Sequence, residues 1–259
     1  MLVFAAAVLG AILGSFINAL SFRFGTGVSI ILAHSTSLRA SRSRCMQCGE
    51  TLRARDLVPI FSYLFLRGCC RYCGSRVSLQ YPLVEAAGAL LALGVYLQNP
   101  ELSAFSFQLV VWMTLLFVLV YDLRHKIIPW SASLFLLLLA LVYLFFTYQL
   151  QPTTYHLAAG LLLAAPLLLV SLVSGGRWMG WGDGILELSL GSFLGITAGL
   201  SALMLAFWAG AAVGIGLMLR SKRYRMDSEV PFAPFLILGA AVAYFFNVDF
   251  FQTLPFLWP

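Results

Sequence analysis

The sequence predicts an all-α polytopic membrane protein of about eight transmembrane helices, with one small zinc-ribbon-like loop domain on the cytoplasmic side. Three observations predict it. Of 259 residues, 61% are hydrophobic and only 10% charged, a balance that ordinary soluble domains lack. Apolar runs recur along the chain at lengths that suit a bilayer. The basic residues gather in alternate connections between those runs.

The runs lie near 1–22, 81–97, 105–122, 129–148, 155–174, 184–197, 199–220 and 230–247. About 20 residues of helix cross about 30 Å of hydrocarbon. No basic residue precedes the first run, as one would in a cleavable signal peptide, so it is expected to stay as the first helix. The second run is short. The sixth and seventh are divided only at Gly195–Ile196–Thr197.

Charge decides the count of spans. Of the 16 Lys and Arg, nine lie in 23–80, two in 123–128, one in 175–183 and four in 220–229. With eight spans these four connections share one face, which the positive-inside rule makes cytoplasmic, and both termini lie outside. Fusing the sixth and seventh runs would strand the last four charges on the wrong side. The net charge of +6 is thereby read as topology. The expected partner is the lipid bilayer, with no nucleic acid. There is no low-complexity tract and no evident repeat.

The chain therefore divides into a first helix at 1–22, a cytoplasmic loop domain at 23–80 and a seven-helix membrane domain at 81–259. A loop of that size needs a staple. Cys45 and Cys48 form one C-x-x-C pair and Cys70 and Cys73 another, with Gly49 and Gly74 following them. Two such pairs suit a tetrahedral zinc ion. Disulfides are disfavoured in the cytoplasm. Free thiols or a redox pair are the alternative. A site closed by four thiolates has no open position, so its expected role is structural. Cys69 is the odd cysteine, a bystander or a competitor of Cys70.

Charged groups near a membrane are costly and mark sites. Asp122 ends the third run, and Asp183 opens the sixth within Gly180–Trp181–Gly182–Asp183–Gly184. Two complete spans separate them, so both return to the cytoplasmic face at similar depth. Paired carboxylates share a proton, one acting as acid and the other as base, which is the chemistry of peptide hydrolysis by water. The glycines around Asp183 permit close backbone approach and an irregular segment at the membrane edge. Two plainer readings stand beside this one. Asp183 caps a helix, and Asp122 pairs with Arg124 or Lys126.

The ordered motifs resemble those of the type IV prepilin peptidases, membrane aspartyl peptidases of the G-x-G-D class. Gly14–Ser15–Phe16–Ile17–Asn18 with Arg23 looks like the first-span motif. The two cysteine knuckles, with Asp56–Leu57–Val58–Pro59 and Ser62–Tyr63–Leu64 between them, resemble the family loop. So do Tyr81–Pro82–Leu83–Val84–Glu85, Asp122 with Ile128–Pro129, and Gly180–Trp181–Gly182–Asp183. The resemblance spans nearly the whole chain. It implies that Asp122 and Asp183 are the catalytic pair, that Gly180 and Gly182 support the catalytic loop, and that 81–259 is the peptidase domain. It implies a bacterial inner-membrane enzyme that cuts a basic leader from type IV prepilins or type II secretion pseudopilins, after a Gly, on the cytoplasmic side. It further implies N-methylation of the new N-terminus from S-adenosylmethionine, although no G-x-G-x-x-G strand–helix unit is present. Three positions depart from the family pattern. Ile185 stands where a Lys is common, Met46 where a Pro is, and Cys69 where a basic or small residue is usual.

Other residues carry paired readings. Glu85 binds substrate or methyl donor, or simply opens a helix. His125 orients Asp122 or is an exposed turn residue. Glu187, at i,i+4 from Asp183, perturbs it or lines a polar crevice. Gly10 and Gly14 form a small-x-x-x-small pair for helix packing. Phe250, Phe251, Phe256 and Trp258 form an interfacial anchor. Two further functions remain open at this point. One is a proton-coupled transporter with Asp122 and Asp183 as its relay. The other is a scaffold that docks partners through its zinc ribbon.

Overall fold

The computed structural model describes residues 1–24, 43–148, 150–220 and 231–251, and the side chains among them except those of 146–153. Arg39, Arg42, Lys222, Arg223, Arg225, Phe256 and Trp258 lie outside that set. The described residues are almost entirely helical. The helices are α1 (Leu2–Arg23), a short α2 (Phe61–Phe65), α3 (Gln80–Gln98), α4 (Leu102–His125), α5 (Trp130–Tyr148), α6 (Leu150–Ser174), α7 (Trp181–Leu194), α8 (Ile196–Arg220) and α9 (Ala233–Phe246).

Each of the eight apolar runs is a helix. Five are long and apolar enough to cross a membrane by length and composition, in α1, α3, α4, α6 and α8. Of the other three, α5 is shorter only over Trp130–Phe145, the part whose side chains are described. At 14 residues each, α7 and α9 reach only about 21 Å. The break between the sixth and seventh runs is real. Gly195 stops α7 at φ 82°, and a Cβ there would lie 3.2 Å from the His156 ring.

The chain divides into two compact units, Met1–Val120 and Tyr121–Pro259. In the first, α1 packs on α3. Lipid supplies no hydrophobic drive for helix pairing, so close fit must do it. The Gly10–Gly14 pair provides that fit. A Cβ on Gly10 would meet the Gly88 carbonyl oxygen at 2.2 Å, and one on Gly14 the Val84 oxygen at 2.7 Å. Buried Asn18 donates from Nδ2 to the Tyr81 carbonyl at 3.3 Å across the same contact.

The second unit packs α7 against α5 and α6, and α8 against α9. Small residues again line the contacts. A Cβ on Gly191 would fall 2.9 Å from Gly160 Cα. Leu186, Leu190, Leu163 and Leu236 are buried, whereas Leu161, Leu162, Leu169 and Val173 on α6 point outward, as lipid-facing residues do.

Candidate active site and metal centre

Asp122 sits one turn before the end of α4, which closes at Lys126 in the left-handed region with its N–H on the Asp122 carbonyl at 2.7 Å. The Asp122 side chain is 4% exposed, and its Oδ2 is buried with no hydrogen-bond partner among the described residues. An orphaned buried carboxyl oxygen is expensive and is kept where it serves a site.

Asp183 stands in the first turn of α7 and is 8% exposed. The irregular stretch that the sequence suggested near this residue lies at 175–180 and ends before α7. Gly182 and Asp183 are already helical, because the turn is closed at both ends. The Asp183 N–H donates to the Gly180 carbonyl at 3.2 Å, and the Gly180 N–H donates to Asp183 Oδ2 at 3.2 Å. The capping reading of Asp183 therefore holds for one oxygen. It does not exhaust the residue, since the bond from Gly180 engages only Oδ2 and leaves Oδ1 outside the cap.

Gly182 sets how the two motifs meet. A Cβ built on it would fall 2.8 Å from Ile128 Cβ. Ile128 belongs to the turn that follows Asp122, so the backbone beside Asp183 rests directly on the stretch beside Asp122. Ile185, where a Lys was expected, is half-buried in α7. Glu187 lies one turn deeper and is 2% exposed. His125 is exposed at the end of α4 and packs on the Tyr121 ring, centroids 4.2 Å apart.

The loop holds the second cluster. The Sγ atoms of Cys45, Cys48, Cys70 and Cys73 all lie within 4.8 Å of one another, with Cys45 and Cys73 at 3.8 Å. A tetrahedron with metal–sulfur bonds of about 2.3 Å has edges of about 3.8 Å, so the four thiols fit a tetrahedral ion. All five cysteines are free thiols. The two knuckles are built alike. Gly49 and Gly74, at φ 70° and 69°, return their N–H groups to the carbonyls of Cys45 and Cys70, each at 2.9 Å. The backbone N–H groups of Cys48 and Gln47 pull the Cys45 thiol down to about 6, toward the thiolate that binds metal. Cys69 stays out of the cluster, its Sγ directed at the Arg67 carbonyl.

Two ties of the loop were not foreseen from the sequence, although it named Asp56 within the family loop motif and Glu85 as a candidate binding residue. Asp56 accepts from Arg71 Nε at 2.6 Å, from the Tyr72 hydroxyl at 3.0 Å and from the Arg53 N–H at 3.2 Å, tying the segment between the knuckles to the second knuckle. Burial alone would raise its carboxyl, but these donors more than offset it and hold Asp56 below the usual carboxylate range. An acidic residue set among arginines was the available signal. The second tie is that of Glu85, 7% exposed, whose Oε2 accepts from the Ile60 N–H at 2.7 Å. Nothing in the local pattern announces a pairing so distant along the chain.

Residues 8–99 match the family model described as the bacterial Peptidase A24 N-terminal domain, and 109–215 match the type IV leader peptidase family. The chain is 36% identical to a prepilin leader peptidase/N-methyltransferase of Burkholderia pseudomallei strain K96243, over 96% of this chain and 87% of that protein. It is 31% identical to the protein of that name from Pseudomonas putida, over 92% and 88%. With the one from Stutzerimonas stutzeri it shares 30%, over 93% and 89%. No solved structure matches.

Proposed function

We propose, since this chain belongs to the type IV leader peptidase family, that it is a membrane aspartyl endopeptidase that cuts basic leaders from prepilins or pseudopilins after a Gly, with Asp122 and Asp183 as its catalytic pair. One observation carries the assignment of the pair. A buried Asp122 oxygen lacks a partner among the described residues, and the turn that follows Asp122 packs through Ile128 on Gly182, next to Asp183. Like charges so placed favour sharing a proton. The ionised carboxyl takes a proton from water as it attacks the scissile carbonyl, and the protonated one delivers its proton to the leaving amine. Gly180 fixes one Asp183 oxygen, leaving the other for substrate. Gly182 keeps the two motifs in contact.

The released N-terminus is then methylated, in keeping with the names of the relatives. S-adenosylmethionine supplies the methyl group for that step. Glu85 is the candidate for binding the donor or the substrate. With Oε2 held by Ile60, only its other oxygen is left for that role. The cysteine cluster holds a structural zinc ion, because four thiolates leave no open position. The enzyme lies in the bacterial inner membrane with residues 23–80 and both aspartates cytoplasmic and its termini periplasmic. In this arrangement 1–22 is the first span, 23–80 the zinc loop and 81–259 the peptidase domain. No observation favours the transporter or the scaffold.

Incubating the protein in liposomes with a prepilin and a labelled methyl donor tests both steps. The unaltered chain should cleave and label. Asp122→Asn and Asp183→Asn should each lose cleavage, and with it labelling, because no new N-terminus appears. Near-normal cleavage by either variant would overturn the pair.

A further inference from the structure

The segment 57–65 turns five large apolar side chains outward. Leu57, Val58, Phe61, Leu64 and Phe65 are all exposed, Phe65 by 83%. Scattered apolar residues on a surface need no explanation, but a continuous cluster marks a contact.

The depth of this cluster follows from the Glu85 hydrogen bond. Glu85 is the sixth residue of α3, about 8 Å along the axis from its first residue. Its bond to the Ile60 N–H therefore holds the start of α2 beside α3, more than one turn inside an apolar span. Ile60 itself sits at φ 64°, a conformation that β-branched residues avoid and that must be held by its surroundings. From the other side, the Tyr63 hydroxyl donates to the Val77 carbonyl at 3.4 Å.

Charge selects the occupant. Arg53 and Arg55 just before the segment and Arg67 just after it are exposed, as is Arg76 on the strand-like pairing with Cys69, and the acidic residue nearest to the segment in sequence, Asp56, is engaged by Arg71. An apolar centre with a cationic rim is the signature of a surface that enters an anionic lipid interface. A basic leader would be repelled by that rim, and a second copy would set one rim against another.

We propose that residues 57–65 are an interfacial anchor, with Phe61, Leu64 and Phe65 in the acyl boundary beside α3 and the arginines on anionic phospholipid headgroups. This stands independently of the catalytic pair.

Replacing Phe65 with p-benzoylphenylalanine in the full chain, and irradiating it in vesicles, tests the anchor. In phosphatidylcholine vesicles containing phosphatidylglycerol, the label should capture phospholipid. The yield should fall severalfold without phosphatidylglycerol, and severalfold when the label sits at exposed Met46 in the first knuckle. The same label at Phe61 guards against a local failure at 65, and retained metal content shows that the loop is folded. Equal yields at 46 and 65, no dependence on the anionic lipid, or capture of a second copy or of added prepilin in place of lipid would each overturn the proposal.

Discussion

The carboxylates of Asp56 and Asp183 show how the same side chain does different work. Asp183→Asn keeps an oxygen that can accept the Gly180 N–H, so the first turn of α7 should survive while the acid–base function is lost. General acid–base catalysis is worth about 10²–10⁴-fold. Cleavage should fall by that factor with helicity by circular dichroism unchanged. Asp56 should instead reveal itself through pH. Its folded-state carboxyl lies below its ordinary value, so the stability it contributes is fully present above that ordinary value, near 3.8, and is lost as pH falls through the lower folded one. Proteolysis of the loop should be faster in Asp56→Asn than in the unaltered chain at pH 6. The gap should begin to narrow only as pH falls below about 3.8 and should close once the pH is under the lower folded value, where the aspartate too is protonated. A gap that persists in acid would remove the ionised Asp56 from the account.

At the level of elements, the apolar runs and their charged connections were legible because periodicity and composition are local properties. The break at Gly195 was legible for the same reason. The start of α7 was not, since Trp181 and Gly182 look like loop residues and become helical through the paired Gly180–Asp183 bonds. Nor were the Glu85–Ile60 and Asp56–Arg71 ties, which join residues far apart in sequence. The cysteine spacing announced a metal site, but only the folded loop separates Cys70 from its neighbour Cys69. The contact of α7 with Ile128 makes its own prediction. Gly182→Ala places a carbon 2.8 Å from Ile128 Cβ, and overpacking of this kind costs about 1–3 kcal/mol. The variant should remain in the membrane with a lowered melting temperature and a large loss of cleavage. Trimming the neighbour, as Ile128→Ala in the same chain, should restore part of both.

For the whole molecule, the proposed zinc ion and the membrane act on different parts. A structural zinc ion contributes folding energy to the unit that holds its ligands, and Cys45, Cys48, Cys70 and Cys73 all lie outside the apolar helices. Strong chelation should therefore expose residues 43–79 to protease while the apolar helices stay intact by circular dichroism. Re-addition of zinc should restore protection. If the helices melt together with the loop, the two are a single folding unit. The helices have their own source of stability in the glycine-lined contacts of α1 with α3 and of α6 with α7, and neither contact contains a metal ligand.

The bare Cα of Gly182 also constrains how such a chain can change over time. The space that a side chain would take there is already held by Ile128. Substitutions at the two positions are therefore ordered. A chain that first loses volume at 128 can later accept a methyl group at 182, whereas the reverse order passes through a damaged intermediate. A mutational library in which 182 is enlarged first should yield few survivors, and those survivors should carry a smaller residue at 128.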